Sequence, residues 1–161
     1  YNVIEPGAEA ALKASPRKRI GVLGTRATIA SRAYANVLQR LAPDAQVWSQ
    51  ACPLLVSLVE EGWEDDPITN LVIYRYITPL LAESPDSIIL GCTHYPALRT
   101  AFAKVAGPSV ALIDSSAAIA GLIEADIASG RIEASKSDRG SLRLLATDVS
   151  KTFQDVVQRL M

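Results

Sequence analysis

Ser87-Ile88-Ile89-Leu90-Gly91-Cys92-Thr93-His94-Tyr95-Pro96 is the stretch from which the rest of the chain is read. A short apolar run stops at a glycine, and a cysteine and a histidine follow at once. The run between Pro85 and Gly91 predicts a fully buried strand, and residues 96–102 predict a helix entered through proline. Cys92 and His94 then lie on a strand-to-helix turn. In open α/β sheets that edge, outside the carboxyl ends of the strands, is where ligands bind. A thiol at a helix N-terminus beside an imidazole is expected to have a lowered pKa, which makes Cys92 a candidate base or nucleophile. His94, the only histidine in the chain, is close enough in sequence to share a proton with it. One Cys-X-His spacing also fits a bland alternative, a small buried thiol followed by a helix cap.

Outward from this stretch the same alternation recurs. Residues 6–13 are alanine-rich and predict a helix, broken by Ser15-Pro16-Arg17-Lys18 before a strand at 19–23. A polar turn, Gly24-Thr25-Arg26-Ala27-Thr28, leads into one helix reaching Leu41, on the four-residue recurrence of Ile29, Ala33, Val37 and Leu41. A second strand is expected at 45–49, then a helix opened by Cys52-Pro53 and closed by Gly62. The helix expected at 67–82 is apolar over a wide arc that includes Ile68, Leu71, Val72, Ile77, Leu80 and Leu81. A strand at 110–113 ends in Asp114-Ser115, good N-cap residues for the helix behind them. Residues 129–140 read as a polar linker, 142–147 as a returning strand, and Phe153, Val156, Val157 and Leu160 as an amphipathic end. Strands alternating with helices in this way define an α/β protein with a mostly parallel sheet flanked by helices.

Composition narrows the classes of function. In 161 residues, 49% are hydrophobic, 20% are charged and the formal net charge is -1. That is an ordinary globular domain without the basic surface a nucleic-acid partner requires. No apolar run is long enough for a membrane span, so a cytoplasmic location is expected, and the first residue falls mid-pattern, as in a truncated start. Two cysteines, Cys52 and Cys92, with one histidine make neither a disulfide framework nor a zinc site. Gly21 and Gly24 lack the further glycines and lysine of a phosphate loop.

Five strings occur in the order of a known family. They are Val3-Ile4-Glu5-Pro6-Gly7-Ala8, Ile20 to Ile29, Ala51-Cys52-Pro53-Leu54 with Leu58-Val59-Glu60-Glu61-Gly62, Leu90-Gly91-Cys92-Thr93-His94-Tyr95-Pro96, and Leu112-Ile113-Asp114-Ser115. Together they resemble the glutamate racemases of the aspartate/glutamate racemase superfamily. The resemblance implies cofactor-independent interconversion of L- and D-glutamate, supplying D-glutamate for peptidoglycan, in a cleft between two α/β domains that each provide a cysteine. It places Cys92 on the second catalytic cysteine, His94 on the histidine that assists it, and Glu60, or its neighbour Glu61, on a nearby carboxylate. Thr93, Thr28 and Thr25 match substrate-binding positions.

The chain also departs from that pattern. The family's first catalytic cysteine, in Cys-Asn-Thr, has no counterpart, and Cys52 matches a different position with a structural role. Ser116 stands where the family commonly has glycine. The expected layout is a leading helix and linker over 1–17 from the junction with a missing amino-terminal domain, a racemase α/β domain over 18–128, and a linker with returning strand and helix over 129–161. Expected partners are glutamate and the missing domain, with a homo-oligomer left open. The alternatives are a non-catalytic α/β module or fragment, and a sister racemase acting on aspartate or another acidic amino acid.

Overall fold

A computed structural model of the chain describes residues 1–133, together with residues 143–145, 154, 157 and 158. The described strands, β1 (Arg19–Gly24), β2 (Gln46–Ala51), β3 (Ser87–Gly91) and β4 (Ala111–Asp114), form one sheet in the order β2-β1-β3-β4. Every pairing is parallel, with Leu23 opposite Leu90 and Gly24 opposite Gly91. The helices are α1 (Ile4–Lys13), α2 (Arg26–Ser31), α3 (Ala33–Leu41), α4 (Leu54–Glu60), α5 (Pro67–Leu81), α6 (Arg99–Ala106) and α7 (Ser115–Ala128). The α/β class expected from the sequence is the one observed.

Alternation along the central strands divides the core into two layers. Leu23, Ile88 and Leu90 point to the side covered by α4, α5 and α6, where Leu55, Val59, Ile73, Ile77 and Phe102 meet them. Ile20, Val22 and Ile89 point the other way, against Ala8 and Ala11 of α1 and Tyr34 and Leu38 of α3. Ile88, Ile89 and Leu90 are at most 1% exposed, and complete burial of such a side chain contributes about 1.5–3 kcal/mol. A strand enclosed on both faces has to be continuously apolar, which is why β3 shows no polar alternation. The strand order reverses between β1 and β3. Their following segments therefore diverge, leaving a crevice at the carboxyl ends.

Three expectations change in detail. The single helix expected up to Leu41 is two, because Arg32 adopts a left-handed conformation (φ 55°) that ends α2 and starts α3. The break resets the helical phase, so Tyr34 and Leu38 enter the core while Leu41 stays 37% exposed. The helix expected at 96–102 begins as a 3-10 turn at Tyr95–Leu98, and α6 proper starts only at Arg99. On α5, Ile68 and Leu71 of the expected apolar arc face outward, 50% and 68% exposed. The linker, strand and amphipathic end expected beyond residue 133 lie largely outside the described residues. Of these, residues 143–145 have no regular structure and residues 154, 157 and 158 are helical. Among the described residues no helix is long and apolar enough to cross a membrane.

Candidate active site

A cavity of about 430 Å³ opens at the carboxyl ends of the strands. Thr25 and Thr28 line it after β1, Gly91, Cys92 and Thr93 after β3, and Asp114, Ser115 and Ser116 at the head of α7, with Val3 and Ile4 on its rim. The described structure thus gathers around one opening four of the six site residues read from the sequence. Thr25 caps α2: its Oγ1 accepts from the Thr28 amide at 3.2 Å and lies 3.0 Å from Thr28 Oγ1. Asp114 caps α7, its Oδ1 accepting from the Ser116 amide at 2.8 Å and the Ser116 hydroxyl at 2.5 Å.

Glu60 and His94, the other two, stand beside Cys92. Cys92 Sγ is 3.9 Å from His94 Nδ1, and His94 Nε2 is 3.4 Å from Glu60 Oε1. Carboxylate, imidazole and thiol follow one another, with Glu60 held at the last turn of α4 and the other two on the turn after β3. The His94 and Glu60 side chains are 27% and 45% exposed. Water screens such a pair, so it contributes little to stability. Thr93 Oγ1 also approaches Nδ1, at 3.5 Å.

The lowered thiol pKa expected from the sequence is corrected. Burial pushes the Cys92 thiol up, and the His94 and Tyr95 amides with the Thr93 hydroxyl offset this only in part. The physical reason is burial of the sulfur; the turn that follows is a 3-10 turn at Tyr95–Leu98, and α6 starts only at Arg99. Near neutrality the Cys92 thiol therefore keeps its proton.

Cys52 behaves differently. It is fully buried, and burial alone pushes its thiol up to about 12. Its carbonyl accepts a 2.9 Å hydrogen bond from the Tyr95 hydroxyl, tying the start of α4 to the turn that carries Cys92. With iodoacetamide, the native protein is expected to be alkylated at Cys92 and spared at Cys52, while urea exposes both. Mass spectrometry of the digested protein measures this. The Cys92 rate should keep rising with pH past the ordinary thiol range of about 8.5, because the folded state holds the proton more tightly.

The sequence alone does not disclose the floor of the cavity. Tyr34 Oη and Ser115 Oγ form a buried 2.8 Å hydrogen bond beneath it, and burial pushes the Tyr34 phenol up. The Tyr34 ring also packs over Gly91, where a Cβ would sit 3.0 Å from ring carbon Cε2. The signal in the sequence is the phase of α3, which an unbroken helix through Arg32 conceals.

A parallel sheet with a thiol and an imidazole at its switch point, facing a ring of hydroxyls, fits the class of α/β racemase. The chain belongs to the Asp/Glu/hydantoin racemase family, whose model matches residues 1–123. It is 41% identical over 160 residues to a glutamate racemase of Syntrophus aciditrophicus, covering 99% of this chain and 59% of that protein. Among solved structures, a glutamate racemase isoform from Bacillus anthracis superposes with a TM-score of 0.90 at 34% identity, over 98% of this chain and 59% of that one. A glutamate racemase from Francisella tularensis, solved in complex with D-glutamate, gives a TM-score of 0.86 at 30% identity, over 98% and 57%. The chain spans about three fifths of the length of the curated relatives it matches.

Proposed function

We propose that these residues form one side of a glutamate racemase site, with Cys92 as one of two acid/base thiols. The observation that carries this reading is the alignment of Glu60, His94 and Cys92 at the mouth of a hydroxyl-lined cavity. Racemisation removes a weakly acidic proton from Cα and returns one to the opposite face. His94 takes the thiol proton. The Cys92 thiolate then removes the Cα proton, so that an S–H bond forms, the C–H bond breaks and the electron pair moves into the substrate carboxylate. A group on the far face delivers its own proton to Cα, completing inversion, and the reverse reaction exchanges the two roles.

The far-face group comes from outside the described residues in this proposal, because Cys52 lies fully buried within the core and does not line the cavity. The lengths of the relatives support that arrangement. Hydroxyls of Thr25, Thr28 and Thr93, with the amides of the turns that carry them, hold the substrate carboxylates. Donors fixed in advance stabilise the charge developing in the transition state more than mobile water does. The proposal includes a cytoplasmic setting and the supply of D-glutamate to peptidoglycan.

The test uses the full-length protein with L-glutamate in deuterium oxide. Circular dichroism should decay towards zero as the racemate forms, with deuterium entering at Cα. Unchanged rotation and no deuterium would leave only a non-catalytic module. Faster decay with aspartate would identify the sister racemase.

A further inference from the structure

Tyr95 directly follows Cys92, Thr93 and His94 in sequence, yet its side chain is fully buried in the core layer that holds Leu55 and Val59 of α4. A phenol placed there must find a partner for its oxygen. That partner is the backbone carbonyl of Cys52, at 2.9 Å. Burial pushes the Tyr95 phenol up, so it keeps the proton it donates.

The Cys52 backbone is a junction. Its amide donates to the Gly24 carbonyl at 2.8 Å, and its carbonyl also accepts from the Leu55 amide, in the first turn of α4, at 3.2 Å. Gly24 precedes the turn of Thr25 and Thr28, and α4 ends at Glu60. On the other side, the Tyr95 amide donates to the Cys92 carbonyl at 3.1 Å. One hydroxyl therefore joins three segments from distant parts of the chain: the threonine turn, the helix that carries Glu60, and the turn that carries Cys92 and His94. Helix α4 has seven residues, about two turns, so a displacement at its start reaches Glu60 at its end.

On the reading of Cys92 and His94 as the acid/base pair above, we propose that Tyr95 is a positioning residue. Its hydroxyl, bonded to the Cys52 carbonyl, fixes α4 against the turn after β3, so that Glu60 stays on His94 and His94 on the Cys92 sulfur. The contacts held in this way, 3.4 Å from His94 to Glu60 and 3.9 Å from His94 to Cys92, are already long, and a small further displacement weakens both. Tyr95→Phe removes the bond and keeps the ring. The Cys52 carbonyl still accepts from the Leu55 amide, so no buried acceptor is orphaned and the variant should fold.

The experiment compares the full-length protein with Tyr95→Phe, Glu60→Gln and the double variant in two measurements. In racemisation of L-glutamate, Tyr95→Phe should lower kcat about tenfold and leave KM within about twofold. Added to Glu60→Gln it should cost less than about twofold more, because the carboxylate it aligns is already gone. The second measurement, the rate at which iodoacetamide alkylates Cys92 near neutrality, needs no turnover. Tyr95→Phe and Glu60→Gln should each slow it by about threefold, the double variant no further, because a misplaced imidazole draws the thiol proton less. Tyr76→Phe is the control. It removes a hydroxyl that the Leu54 amide meets at 3.5 Å, at the same helix start, and should change neither rate. Unaltered kcat and alkylation in Tyr95→Phe overturn the proposal. So does an undiminished loss in the Glu60→Gln background, or faster alkylation, since the hydroxyl then only keeps the turn closed. An unaltered protein that does not racemise glutamate removes the racemase reading alone, and slowed, non-additive alkylation still establishes the positioning role.

Discussion

Cys92→Ala is expected to reduce glutamate racemisation by the full-length protein about 1,000-fold or more, the range in which a positioned acid or base acts. Sulfur at position 92 faces the cavity with an imidazole 3.9 Å away, and alanine removes the group that the proposed reaction uses to exchange a proton with Cα on that side of the substrate. The effect should be unequal between two measurements. Racemisation needs both faces, whereas hydrogen exchange at Cα needs only the one from which a proton is removed. A remaining far-face thiol should therefore still exchange the Cα hydrogen of one enantiomer for deuterium, slowly and with retention. Cys92→Ser should fall near the alanine variant, because an alcohol holds its proton too firmly for His94 to remove. Turnover within tenfold of normal in Cys92→Ala would take the thiol out of the reaction.

The central part of this site is legible in the sequence because its information is local. Cys92, Thr93 and His94 follow one another on a turn whose position is set by an apolar strand and a glycine, so locating the strand locates the residues. The polar turn after β1 is legible for the same reason, although it is the family resemblance that singles out Thr25 and Thr28 within it. Glu60 is brought in from another helix, and the family resemblance and its place on an otherwise apolar helix face are what point to it. Local patterns fail where conformation depends on tertiary context. Arg32 reads as an ordinary helix residue, yet its left-handed backbone moves Tyr34 into the core. Ile68 and Leu71 read as core residues on hydropathy, because a helix apolar on every side does not disclose which side meets the sheet. The direction of the Cys92 pKa escapes the sequence for a related reason. Burial, which is not local to a dipeptide, outweighs the hydrogen bonds from the sulfur's neighbours in sequence.

Gly91→Ala is expected to impair both folding and catalysis, although the added group is one methyl. A Cβ at this position would lie 2.6 Å from the Leu23 carbonyl oxygen and 3.0 Å from the Tyr34 ring. The oxygen belongs to the backbone of β1, which is fixed by its pairing with β2 on one side and β3 on the other, so it cannot step aside as a side chain would. The strand end that carries Cys92 has to move instead, by a few tenths of an ångström or more. Overpacking of this kind costs about 1–3 kcal/mol, read as a lower urea midpoint with unchanged slope. A displaced thiol should also lower kcat by about 10- to 100-fold, beyond what the loss of folded protein explains. Gly121→Ala is the control. Gly121 lies within α7, and apart from its own helix nothing among the described residues comes inside 4 Å of the place a Cβ would take. Alanine there should stabilise by about 0.5–1 kcal/mol and leave turnover unchanged. Equal behaviour of the two variants would mean that the contact between β1 and the Cys92 turn does not position the sulfur.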